Sequence, residues 1–298
     1  MSERILPPWA DKIPQGAFIS WEPTYKVGEY FNNFHKSRFE CAPFGQEKFS
    51  HLDYYFYDPT EHGWSKNGKY PLLVFMHGYT NALVGDVCIN YTGAEFYSKD
   101  EYQKAMGGAY ILVPVANEYK NEEGKCAGSW DLSYIEPIFA LAEEFMQNKA
   151  AGRISKKAVI GSSLGAYMCF ELEKAKPDFF NIMITIGSSD IPDDTILDRY
   201  EKNGMAFFFA IARHDELSDF EKTVVPRLAR LKRMKKTFVF TPEWIYNGDR
   251  GIASINFGFE MGQHCLVNPM HCNLMYDDGS PMYSELPLGV TGWLHSVL

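Results

Sequence analysis

Residues 158–167 read Ala158-Val159-Ile160-Gly161-Ser162-Ser163-Leu164-Gly165-Ala166-Tyr167. A short apolar run ends in Gly-x-Ser-x-Gly, with Ser163 at its centre. This pattern predicts a strand that stops, turns sharply and becomes a helix, with the Ser163 hydroxyl held above a sheet at the strained tip. The two glycines have no Cβ, so the backbones flanking the turn can approach closely. The first free N–H groups of the new helix would face any charge developing at Ser163. The flanks agree: Lys156–Ile160 is strand-like, and Ala166–Lys174 is helix-like before Pro177. A structural serine in an ordinary Gly-Ser turn is the competing reading.

Outward from this stretch, continuously apolar runs alternate with segments of helical periodicity. Strands are expected at 49–57, 70–76, 109–115, 182–186, 206–212 and 237–241. Helices are expected within 82–107, from Ser133 to Lys149, over 220–236 with a break at Pro226, and near 290–298. Ser133 and Glu136 fit a capping box, with Pro137 in the first turn. This alternation is the pattern of a mostly parallel sheet covered on both faces. Residues 1–48, punctuated by Pro and Gly, read as an irregular, aromatic-rich N-terminal extension packed on the main body. Residues 49–298 read as one catalytic domain, without repeat or linker.

The 298 residues are 46% hydrophobic and 15% aromatic, so a large core is available, and the net charge is −9. That balance argues against a nucleic-acid surface, which requires a basic patch, and against a membrane-surface role. Six cysteines, without a CxxC pair, are too sparse for a disulfide scaffold in a chain this long. No apolar leader precedes the first strand and no apolar run is long enough to span a bilayer. A cytoplasmic protein is the expectation.

A serine hydroxyl needs a base, the base needs an orienting acid, and the oxyanion needs donors. All should gather at the carboxyl edge of one sheet. Asp215, just past the strand Phe207–Ala212, is the acid candidate; Glu216 and Asp190 are its rivals, and Asp219 reads as a helix cap. His264 is the base candidate, between the last strand and the last helix; His271 and His214 are the rivals. The backbone N–H groups of Tyr79 and Leu164 are the oxyanion candidates, with His77 orienting the loop that carries Tyr79. Tyr79 and Trp130 are candidates for lining the substrate pocket, though core packing accounts equally well for Trp130. The pairs His264-Cys265 and His271-Cys272 match no zinc spacing, so no metal and no cofactor is expected.

With strand-His77-Gly78-Tyr79, the Gly161–Gly165 elbow, Asp215 and His264 in this order, the chain resembles the α/β-hydrolase superfamily over residues 49–298. Within it, the sequence is similar to feruloyl and acetyl-xylan esterases and to polyhydroxybutyrate-depolymerase-like esterases. The resemblance implies a three-layer α/β fold and a serine carboxylesterase working through Ser163, His264 and Asp215 on a small-molecule ester. A serine peptidase of the same fold and a non-catalytic binding protein are the alternatives. Only about 20 residues, Ser188 to Met205, separate the two strands where many relatives insert a cap, so no large cap domain is expected. Loops from residues 243–262 and the N-terminal segment are the expected roof.

Overall fold

The computed structural model describes residues 4–256, 260–264, 270 and 272–298. Its centre is an eight-stranded sheet. In chain order the strands are β1 (His35–Phe44), β2 (Phe49–Tyr57), β3 (Tyr70–Met76), β4 (Tyr110–Val115), β5 (Ile154–Ser162), β6 (Ile182–Ile186), β7 (Ala206–Ala210) and β8 (Thr237–Phe240). Their spatial order is β1-β2-β4-β3-β5-β6-β7-β8. Strand β2 runs antiparallel to both neighbours, and the pairings from β4 across to β8 are parallel.

The inner strands are apolar on both faces because both are covered. Strand β3 sends Leu72, Val74 and Met76 into one core cluster and Leu73 and Phe75 into the other. Strand β7 divides Phe207 and Phe209 from Phe208 in the same way. This is the period-two geometry of a strand with two buried faces. The longer helices are α1 (Asp100–Met106), α2 (Ile135–Glu144), α3 (Leu164–Ala175), α4 (Asp194–Asn203), α5 (Val225–Arg233) and α6 (Gly289–Val297). Helix α3 packs on β5, β6 and β3, and α6 packs on α1. Between β6 and β7 stands α4 alone, so no large cap is inserted there.

Three local readings change. The stretch 35–44 is an edge strand rather than irregular chain, pairing with β2 from His35↔Phe56 to Phe44↔Phe49. Much of it is exposed, so it lacks the apolar run that marks the inner strands, and Pro43 sits where an edge strand tolerates a missing donor. The sheet therefore begins upstream of residue 49, and the expected boundary falls in the β1–β2 turn. The capping box at Ser133 does not form: the Asp131 carboxylate accepts the Ser133 N–H at 2.7 Å and caps a short 3-10 turn before α2. The break before α5 lies at Val224, with Pro226 in the helix's first turn, where its missing N–H has no partner to lose.

Upstream of β1 the chain packs on the loop after β8. Ile19–Ser20 pairs in parallel with Ile252–Ala253, and Trp9 meets Trp244 edge to face at 5.4 Å. The described cysteines, 41, 88, 126, 169 and 272, are free thiols. Among the described residues no helix is long and apolar enough to cross a membrane.

Candidate active site

The elbow forms as its glycines require. Strand β5 ends at Ser162, α3 starts at Leu164, and Ser163 between them has φ 56° and ψ −120°. A non-glycine residue held there stores roughly 1–3 kcal/mol of strain. The Ser163 N–H donates to the Ile186 carbonyl at 2.8 Å, which fastens the tip to β6. The Ser163 carbonyl in turn accepts the Ala166 N–H at 2.9 Å. A Cβ on Gly161 would run into the Gly165 carbonyl, and one on Gly165 into the Met76 carbonyl.

Beside the elbow, the loop after β7 and the segment after Glu260–Met261 bring two more groups together. His264 Nε2 lies 2.9 Å from Ser163 Oγ. His264 Nδ1 lies 2.9 Å and 3.0 Å from the two oxygens of Asp215. Asp215 is 6% exposed and His264 7%, so water competes little for these bonds. Since a carboxylate only accepts, the network assigns the ring proton to Nδ1 and leaves Nε2 free to accept from the serine hydroxyl. The Leu217 N–H donates to Asp215 Oδ1 at 2.8 Å and fixes the acid's rotamer. Gly187 lies against the ring: a Cβ there would stand 3.5 Å from His264 Cε1. Such an arrangement can pass a proton from hydroxyl to imidazole while the carboxylate balances the charge.

The rivals are elsewhere. Asp190 accepts from Ser188 Oγ in its own turn. His214 stacks on Trp244 at 4.1 Å, and burial lowers its pKa. Asp219 caps a helical turn through the Lys222 N–H. His271 and Cys265 lie outside the described residues. The Glu216 carboxylate meets backbone N–H groups of the segment carrying His264.

Opposite His264, the loop after β3 abuts the elbow. A Cβ on Gly78 would stand 3.6 Å from Ser163 Cβ and 2.8 Å from Asn81 Oδ1, so glycine lets this loop close on the serine. Tyr79 follows, 67% exposed, and Thr80 then turns with φ 58°. The Thr80 N–H donates to Ser129 Oγ at 3.1 Å. Leu164 is the first residue of α3, and its N–H is one of the donors a helix leaves free.

His77 is fully buried beneath this loop. Its Nδ1 donates to the Gly78 carbonyl at 2.7 Å, and its Nε2 accepts the Ala116 N–H at 3.1 Å. Burial pushes its pKa down to about 4, so the ring is neutral. Trp130, 5% exposed, packs in the core cluster, edge to face with Tyr134. Of the two residues assigned to the pocket, Tyr79 alone presents its ring to solvent. Ser129 was not singled out in the sequence, because one serine accepting one backbone N–H carries no motif. Among the described residues no group of three or more His, Cys, Asp or Glu side chains is placed to hold a metal ion.

No family model matches the sequence. A poly(3-hydroxybutyrate) depolymerase from Ralstonia pickettii is 32% identical over 135 residues, covering 42% of this chain. The match spans 27% of the depolymerase, about a quarter of its length. A thermostable esterase of known crystal structure superposes with a TM-score of 0.54 at 17% identity, over 81% of this chain and 60% of the other. The feruloyl esterase module from Clostridium thermocellum, solved with sinapinate, superposes with a TM-score of 0.50 at 11% identity, over 76% and 87% of the two chains. At these identities the likeness to solved structures is one of fold.

Proposed function

We propose that this chain, which has the α/β-hydrolase fold, is a serine carboxylesterase that cleaves a small or aromatic carboxylic ester through an acyl-enzyme. The single observation that carries the reading is the pair of hydrogen bonds on His264, one to Ser163 Oγ at 2.9 Å and one to Asp215 at 2.9 Å. In this reading His264 Nε2 takes the hydroxyl proton as Ser163 Oγ bonds to the ester carbonyl carbon. The carbonyl oxygen gains the negative charge and is met by the N–H groups of Tyr79 and Leu164. The tetrahedral adduct collapses, the ester C–O bond breaks, and the His264 proton goes to the departing alkoxide. Water then repeats the sequence in reverse roles and frees the acid and Ser163.

The named activities of the relatives, polyester depolymerisation and ester or feruloyl-ester cleavage, agree with this reaction class. The exposed ring of Tyr79 beside the elbow gives an aromatic acyl group a surface to stack on. The test is an initial-rate panel of short p-nitrophenyl esters, a long-chain ester, methyl ferulate and an aminoacyl anilide, run on the wild type and on Ser163→Ala. Ester turnover lost in the variant supports the reading. Anilide turnover above ester turnover replaces it with a peptidase, and the absence of any Ser163-dependent turnover contradicts it.

A further inference from the structure

Glu216 stands one residue from Asp215 and takes hold of the same histidine by its main chain. Its Oε2 accepts the His264 backbone N–H at 2.7 Å. Its Oε1 accepts the N–H groups of Gly262 at 3.0 Å and Gln263 at 3.2 Å, and the indole N–H of Trp9 at 2.7 Å. One carboxylate thus gathers four donors, three of them successive main-chain groups ending at the base. Hydrogen bonds to an ionised acceptor are the strong ones, and only an acceptor-only group with two oxygens satisfies this set.

The rest of the segment is fixed to match. Gln263 is fully buried, donating to the Ala253 carbonyl at 3.0 Å and accepting the Ile245 N–H at 2.8 Å. Gly262 approaches Ala253 so closely that a Cβ there would meet its carbonyl. Trp9 comes from the far N-terminal segment, 207 residues from Glu216 in sequence, and is wedged against Trp244. The loop after β7 therefore sets His264 twice: Asp215 aligns the ring and Glu216 sets the backbone from which the ring hangs.

We propose that Glu216 is a positioning residue for the reaction assigned to Ser163, fixing the His264 main chain so that Nε2 stays within hydrogen-bonding reach of Oγ, with Trp9 as the N-terminal segment's contribution to the same clamp. The inference rests on the proposed esterase reading and deepens it. Glutamine fills the same volume as glutamate but offers an NH2 where a second acceptor is needed, so it places a donor against donors. A misplaced base slows chemistry by up to about 100-fold per ångström while leaving ground-state binding alone.

The experiment compares the wild type with Glu216→Gln, Glu216→Ala, Trp9→Phe and Ser163→Ala, all as full chains. It measures kcat and KM on a p-nitrophenyl ester and the rate constant for inactivation by a fluorophosphonate. Expected is a fall in kcat of about tenfold or more in Glu216→Gln with KM within about twofold, a parallel slowing of inactivation, and a smaller fall in Trp9→Phe. A space-filling role alone would be met by glutamine. Wild-type kinetics in Glu216→Gln, with turnover still abolished in Ser163→Ala, would overturn the positioning role and leave the esterase reading standing. Without Ser163-dependent turnover in the wild type that reading falls, and the inactivation rates decide the positioning role: slower in Glu216→Gln supports it, equal or absent overturns it. Should Glu216→Ala fail to fold, Glu216→Gln and Trp9→Phe carry the comparison.

Discussion

Trp130 donates its indole N–H to the His77 carbonyl at 2.9 Å, and its ring lies 4.4 Å from the imidazole. The two residues form a brace next to Gly78 and Tyr79, whose loop would receive an oxyanion. Trp130→Phe keeps the ring contact and removes the donor. Losing that hydrogen bond should lower stability by about 1 kcal/mol. It should also lower kcat by about tenfold, less than the outright loss of an oxyanion donor. Paired urea unfolding and steady-state kinetics on the variant check both.

The burial of His77 gives stability a pH dependence. Its folded pKa of about 4 lies below the ordinary 6.5, so the unfolded chain binds the proton first. Stability from this group is full above pH 6.5 and declines as pH falls toward 4. The loss at pH 5 should be about 2 kcal/mol. Urea unfolding at pH 7 and pH 5, compared with His77→Gln, isolates this component, which should vanish in the variant.

Glu173 on α3 works in the opposite sense. Burial, as the largest influence, pushes its pKa up to about 8 from 4.5; Asp178 adds to this, while the Phe180 N–H hydrogen bond opposes it. The folded state therefore favours the protonated acid, and stability is lost as pH rises from 4.5 through 8. Glu173→Gln, a neutral isostere, should be more stable than the wild type at pH 8 by on the order of 3 kcal/mol. The two should converge at pH 4. Thermal unfolding across this range provides the measurement, and equal midpoints at pH 8 would refute it.

The elbow glycines are separable from glycines that merely turn. Gly161→Ala and Gly165→Ala drive a methyl into backbone and should abolish folding or lower the melting temperature severely. Gly124 has φ +73° but open space around it. Gly124→Ala should therefore cost only about 1–2 kcal/mol of backbone strain. Differential scanning fluorimetry on the three variants tests the contrast.

What could be read from the sequence is what local pattern encodes. The inner strands declared themselves because both faces are buried and most of their positions are apolar. Ser163 declared itself because a sharp strand-to-helix turn needs two glycines at fixed spacing. Asp215 and His264 followed from where a parallel sheet ends its strands, and the structure sets His264 between Ser163 and Asp215. The edge strand β1 was hidden, since a strand exposed at a sheet's rim carries polar residues and a proline, and its partner supplies what its own pattern lacks. Glu216 was hidden in another way. It reads as a spare carboxylate beside Asp215, and a side chain that recognises main-chain N–H groups 46 to 48 residues away leaves no trace in residue type. Trp130 read equally as pocket lining or core, and its bond to the His77 carbonyl, made 53 residues away, has no local signature.

In the proposed reaction Ser163, activated by His264, becomes the site of a covalent adduct. Intact-mass spectrometry after brief exposure to a fluorophosphonate, followed by peptide mapping, tests it most directly. A single adduct on Ser163 is expected, absent from Ser163→Ala and forming far more slowly in His264→Ala. An unmodified wild-type protein, or an adduct that forms equally fast without His264, would contradict it.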